Sequence, residues 1–312
     1  MSAPDVVREA EWVRRPERSN TAMLRVMTWV SLRLGRRPAR VVLFGISLYF
    51  LLFAPPARHA SRAYLSRALG RSPRLVEQFR HFHSFASCTH DRVYMLNDRF
   101  DLFDIQVHGA ATFEEVLVAG RGAFLLGAHM GSFEVVRAVG RQRPGLRVAM
   151  VMYEDNARKI NAALAAINPV VVQDIIPLGR LDSMLQVQAR LDEGMVLGVL
   201  GDRTLDDDPT LSVQFLGETA AFPVGPMRLA AMLKLPVLFM TGIYLGGNRY
   251  AIHFEPLADF RDIERKDRDA AIRRAVVAYA AGLERHCRAE PFNWFNFFDF
   301  WRPPAGNGCA AS

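Results

Sequence analysis

Cysteine is scarce in this chain: Cys88, Cys287 and Cys309 stand far apart, with no close pair. That spacing argues against a disulfide framework and a thiolate metal site, and it fits a reducing, cytosol-facing setting. Lysine is as rare, with 3 residues against 36 arginines, a bias spread along the whole chain that carries no functional message. Repeats and low-complexity stretches are absent, and no apolar run reaches the roughly 20 residues that a helix needs to cross a bilayer. What is present, 312 residues of which 50% are hydrophobic and 23% charged, is the composition of a folded globular protein.

The net charge of +7 is unevenly placed. Residues 1–80 carry 15 arginines and five carboxylates, which leaves residues 81–312 with 24 basic and 27 acidic side chains. A nucleic-acid partner is therefore not expected: the body is slightly acidic, and the basic quarter holds a hydrophobic run in place of a recognition element.

Residues 1–20 read as a flexible tail, with no secretory signal, because no apolar core follows the charged start. From 21 to 98 the pattern is helical. Met23, Val26, Met27, Val30 and Leu34 recur at helical spacing, and Arg33, Arg36, Arg37 and Arg40 follow as a basic cluster. Val41 to Ala54 then runs fourteen residues without a charge and stops at Pro55-Pro56. Such a run, flanked by arginines at 58, 62, 67 and 71, predicts a helix that lies at a membrane surface, with a core helix as the plainer alternative.

Near Phe103 the period changes. Short apolar runs at Phe103–His108, Phe124–Ala128, Arg147–Met152, Val170–Ile176, Val196–Leu200, Val213–Phe215, Val237–Tyr244 and Arg249–Phe254 predict strands. Helices are expected at Thr112–Ala119, Phe133–Gly140, Asn156–Ile167, Asp182–Glu193 and Gly225–Leu233. Alternation of this kind predicts an α/β fold with a mostly parallel sheet flanked by helices, one domain over residues 99–301, and a tail over 302–312.

Ligands in such sheets sit where strands end and helices begin. His129 follows the strand at Phe124–Ala128, with Glu134 five residues later and the small residues Gly127, Ala128 and Gly131 around it, an arrangement that lets a substrate come close. A histidine so placed can take a proton from a hydroxyl while a carboxylate holds its other ring nitrogen; a buried structural histidine is the alternative. Farther along, Asp202-Arg203 closes a strand, Phe215-Leu216-Gly217 precedes a turn, and Pro226 opens a helix that carries Arg228. Asp202 and Arg203 can pair to shape the pocket or touch substrate, and Arg228 can meet a phosphate or sit in a surface ion pair. The run Asp206–Asp208 reads as solvated, so no metal site is expected. Ser132 is not set in the G-x-S-x-G pattern of a nucleophile elbow.

His129 to Glu134, Asp202 at a strand end, FLGETAAFPVGPMRLA at 215–230, Pro236-Val237 and the aromatic ending PFNWFNFFDFW at 291–301 together resemble the late (secondary) lipid A acyltransferases, within the glycerolipid acyltransferases that share an H-x4-[D/E] motif. The resemblance covers about residues 100–301. Ala128 stands where the family usually has Asn, Arg203 where it often has Gln, and the aromatic ending lacks the family's His and Arg, so a different lipid or a polyketide-like pigment conjugate fits as acceptor equally well. The resemblance implies acyl transfer from an acyl carrier protein or coenzyme A thioester to a lipid hydroxyl at the cytoplasmic face of a bacterial inner membrane, with no cofactor. It makes His129 the general base and Glu134 its orienting carboxylate, and it puts Asp202, Arg203, Gly217 and Arg228 at the substrate. Thioester hydrolysis, or a silent membrane scaffold, is the competing reading. Phe215, Phe222, Met227, Met232, Phe239 and Met240 line either an acyl channel or the core, and Trp294 to Trp301 form either an interfacial belt or a core cap.

Overall fold

A computed structural model describes residues 28–29, 31–33, 35–118, 122–136, 147–153, 175–178, 182–204 and 208–302, with a few positions between 162 and 168. Among the described residues, 28–29 and 31–33 are helical, and the helices α1 (Arg36–Phe53), α2 (Pro55–Leu69) and α3 (Leu75–Met95) follow. The α/β body follows as β1 (Asp104–His108), α4 (Ala110–Val118), β2 (Phe124–Gly127), β3 (Val148–Tyr153), β4 (Ile175–Leu178), α5 (Ser183–Asp192), β5 (Val196–Leu200), β6 (Thr210–Phe215), β7 (Glu218–Pro223), α6 (Gly225–Met232), β8 (Pro236–Gly246), β9 (Arg249–Asp259) and α7 (Arg268–Ala289).

The main sheet has seven strands in the order β1-β9-β8-β2-β5-β3-β4, all neighbours parallel except the β8/β9 hairpin. The α/β fold with a mostly parallel sheet is the one expected from the alternating periods. Central strands β2 and β5 are buried on both faces, as their unbroken apolar runs require. The tail at 1–20, the acidic residues 206–207 and most of the segments expected as the Phe133–Gly140 helix, the Asn156–Ile167 helix and the first half of the Val170–Ile176 strand lie outside the described residues; of the first helix, residues 133–136 are helical.

One strand was not anticipated. Val213–Phe215 belongs to a two-stranded hairpin whose second strand, β7, carries Ala220 and Ala221, residues of low strand propensity. Its turn places Leu216 at φ 53° and Gly217 at φ 86°, the left-handed pair that a tight hairpin needs. Leu216 accepts this conformation because its side chain is buried and its N–H donates to Glu284 Oε2 at 2.7 Å.

The leading helices are fastened to the body by a buried ion pair. Arg36, in the first turn of α1, donates through Nε and Nη2 to the two oxygens of Asp91 on α3, both at 2.7 Å, and Tyr250 on β9 donates to Asp91 Oδ2 at 2.8 Å. Burial works against ionisation of Asp91, but His90 beside it and the bonds from Arg36 and Tyr250 outweigh it and lower its pKa. Ala39, Leu43, Ser47 and Leu51 form the inner stripe of α1, while Val41, Val42, Phe44, Leu48, Leu52 and Phe53 face outward. No single described helix is long and apolar enough to cross a membrane; α1 and α2, bent by 93° at Ala54, meet that test only as a pair.

Replacing Arg36 by Met should leave Asp91 buried without its cation and destabilise the protein by about 3–5 kcal/mol, read as a lowered urea midpoint. A smaller loss than about 1 kcal/mol would mean that Tyr250 alone satisfies Asp91.

Candidate active site

β2 and β5 are adjacent and parallel, with Gly127 opposite Leu200. Two residues beyond that aligned pair, each chain leaves the sheet, so His129 and Asp202 emerge side by side although 73 positions separate them. His129 Nδ1 lies 2.8 Å from Asp202 Oδ1, and the His129 backbone N–H donates to Oδ2 at 3.0 Å. Trp294 Nε1 and Asn296 Nδ2 each donate to the same Oδ2 at 2.9 Å. Asp202 is fully buried. Burial by itself would raise its pKa; the charge and hydrogen bond of His129, with Arg203 nearby, win and hold it well below the usual carboxylate range. An ionised acceptor fixes the tautomer: Nδ1 of His129 carries the proton and Nε2 keeps its lone pair.

His129 is 29% exposed and opens onto a cleft of about 100 Å³. The wall includes Phe85, Thr89, Arg92, Ala128, Ser132, Phe133, Arg203 and Phe295. No described hydrogen bond uses His129 Nε2, so the basic nitrogen is available to a ligand. Desolvation and the positive charge of Arg203 outweigh the pull of Asp202 and lower the His129 pKa, which keeps the ring neutral at pH 7.

The carboxylate expected to orient His129 is a different one from that found. Glu134 pairs with Arg92, its Oε1 2.9 Å from Nε, and accepts a bond from Ser132 Oγ at 3.4 Å. It lies in the helix after the loop and faces α3, whereas Asp202 reaches the ring through the strand register. Asp202, read from the sequence as a substrate contact, is fully buried beneath His129 and is not among the residues that line the cleft. Arg203 does line the cleft, its Nε donating to Asn296 Oδ1 at 2.9 Å. Gly217 is an exposed hairpin tip and Arg228 an exposed position on α6, and neither lines the cleft.

Gly131 serves the fold more than the substrate. At φ 65°, a Cβ there would meet Gly242 O at 1.9 Å, where the loop crosses β8. The aromatic ending is a core cap with Trp294 completely buried, and of the residues read as channel or core, Phe215, Phe222, Met227, Phe239 and Met240 are buried core while Met232 is 58% exposed. Missed in the sequence were Arg92, Trp294 and Asn296. Their signal was weak: two asparagines flanking a tryptophan in an otherwise apolar run. Asp208, the one described member of the acidic run, accepts a bond from Tyr153 OH at 2.8 Å.

His81 supports the site from behind. Its Nε2 donates to Trp294 O at 2.8 Å while Nδ1 accepts from Ser61 Oγ at 2.9 Å. These bonds suit the neutral ring, and burial pushes the pKa down to about 4.

These features make a histidine-carboxylate pair at the carboxyl edge of a parallel sheet, an arrangement able to move a proton at a bound hydroxyl. The sequence profile of the bacterial lipid A biosynthesis acyltransferases matches residues 83–302, and the chain belongs to that family. It is thus an acyltransferase by family. No curated protein matches the chain.

Because His81 is neutral when folded and protonates near pH 6.5 when unfolded, its contribution is whole above pH 6.5 and falls away towards pH 4. Stability should drop by about 3 kcal/mol from this group across that window, and His81→Gln should flatten the pH dependence of the urea midpoint by that share. Parallel curves for wild type and variant would disprove it.

Proposed function

We propose that this protein moves a fatty acyl chain from an acyl thioester, carried by acyl carrier protein or coenzyme A, to a hydroxyl of a lipid A-like or other lipid acceptor. The observation that carries the reading is His129, held through Nδ1 by an ionised Asp202 and presenting Nε2 to the cleft. Family membership supports acyl transfer as the chemistry.

His129 Nε2 takes the acceptor hydroxyl proton as the oxygen attacks the thioester carbonyl. The C–O bond forms, and the carbonyl electrons move onto an oxyanion near Arg92 and Arg203. Collapse of that intermediate breaks the C–S bond, and the leaving thiolate recovers the proton from His129. Asp202 stabilises the transient imidazolium without taking the proton. Base catalysis supplies about 10²–10⁴-fold, and alignment of the two substrates supplies much of the rest. Ser132 is spared a nucleophile's part because its hydroxyl is turned to Glu134. No cofactor or metal is needed in this scheme.

A cleft of about 100 Å³ holds the reacting groups and not the chains, so the lipid portions of both substrates extend beyond it. The outward face of α1 gives those portions an apolar neighbour: Val41 is 75% exposed and Phe53 65%. Arg33 and Arg37 are exposed at the start of that face, and this pairing of apolar and basic surface supports peripheral or monotopic attachment to the cytoplasmic face of a bacterial inner membrane.

Incubation of the protein with a radiolabelled acyl group carried as a thioester on acyl carrier protein or coenzyme A, together with a total lipid extract, should give a labelled lipid. His129→Ala should abolish it. Asp202→Asn should lower kcat by about 10³-fold or more, through the wrong tautomer, whereas Glu134→Gln should lose far less. Label found only in free fatty acid would replace transfer by hydrolysis, and equal losses in the two carboxylate variants would overturn the assignment of Asp202.

A further inference from the structure

The C-terminal segment that follows α7 is stapled to the catalytic loop on one side and to β8 on the other. Asn293 receives the Tyr244 N–H on Oδ1 at 2.8 Å and donates from Nδ2 to Tyr244 O at 3.1 Å. Gly131 N–H donates to Asn293 O at 2.8 Å, and Phe295 N–H donates to His129 O at 2.7 Å. Between these staples two side chains turn inward to one atom, Asp202 Oδ2.

The direction of each bond is fixed by chemistry. The indole of Trp294 can only donate. Asn296 has a donor and an acceptor end, and Arg203, which only donates, occupies the acceptor end at 2.9 Å, so the amide nitrogen must face Asp202. Arg203 also donates to Phe295 O at 3.3 Å and lies against the Phe298 ring. Among the described residues, three N–H groups thus share Oδ2 while His129 holds Oδ1.

We propose that Trp294 and Asn296 are positioning residues that set the basicity and the tautomer of His129 through Asp202, an inference that rests on His129 being the general base. Each donor draws charge from the carboxylate, which then stabilises the imidazolium less. The result is a histidine that stays neutral, with Nε2 unprotonated, while its ring remains fixed. Without those donors Asp202 keeps more of its charge and becomes the stronger partner of the imidazolium at Nδ1.

The test compares full-length wild type, Trp294→Phe and Asn296→Leu, each at a temperature where circular dichroism shows it folded. Two quantities are read: the acidic limb of the kcat/KM profile for acyl transfer, and the NMR titration of the His129 ring with its hydrogen-bonded Nδ1 proton. The His129 pKa and the acidic limb should rise by about half a pH unit or more in both variants. kcat should fall about tenfold with KM for the acyl thioester unchanged, and the Nδ1 proton resonance should move downfield as Asp202 holds it more strongly. A lowered melting temperature with unmoved limb and resonance would reduce the two side chains to packing and overturn the proposal. Should Trp294→Phe fail to fold, Asn296→Leu decides alone. If wild type shows no transfer at all, the proposed function fails separately, and the NMR titration still decides whether the strap tunes His129.

Discussion

A single buried carboxylate organises the centre of this protein. Asp202 has lost its water, and an ionised group in that position persists only when its lone pairs are met by donors. Four donors meet them, and they come from the β2 loop and from the C-terminal strap, while the carboxylate itself stands at the end of β5. Satisfying Asp202 therefore draws two strand ends and the segment after α7 to one point, and what is left over at that point is the lone pair on His129 Nε2. The catalytic arrangement and the closure of the fold are in this sense one hydrogen-bond network.

Around that network the packing is aromatic. Trp294 lies edge-on to Tyr64, Phe215 and Phe300, with ring centroids 4.9, 5.4 and 4.8 Å away. Tyr64 comes from α2, Phe215 from the hairpin and Phe300 from the chain end, so the indole that donates to Asp202 also ties the leading helices to the body. A second anchor, Asp91 with Arg36, does the same at the far end of α3. Between the two anchors α3 contributes Phe85, Thr89 and Arg92 to the cleft wall. The helix that carries the exposed apolar face and the helix that walls the active site are consequently packed on each other, Phe44 meeting Phe79 at 4.7 Å.

Much of the fold was readable because its signals are local. Unbroken apolar runs placed β2 and β5 within a residue of their observed ends, and Gly225-Pro226 marked the start of α6. The β7 strand was not readable, since Ala220 and Ala221 earn their strand conformation from the partner β6 and from burial against the core. His129 was found from its place after a strand. Its carboxylate partner was taken from sequence distance, which favoured Glu134, and the register of parallel strands chose Asp202 instead. Gly217 and Arg228 were drawn to the site by their place in a motif and fall outside the cleft.

The sequence by itself determined the alternation of strand and helix, the fourteen-residue apolar run with its basic flanks, the slightly acidic body, and a histidine at a strand end. All of these depend on neighbours within about ten positions, where hydrophobic periodicity and turn chemistry act. Only the tertiary structure decided which carboxylate holds that histidine, that Trp294 and Asn296 reach the same oxygen, and that Arg92 rather than Arg228 faces the cleft. Each of those facts joins residues tens to more than a hundred positions apart, and it is the register of β2 on β5 together with the burial of Asp202 that forces them into contact.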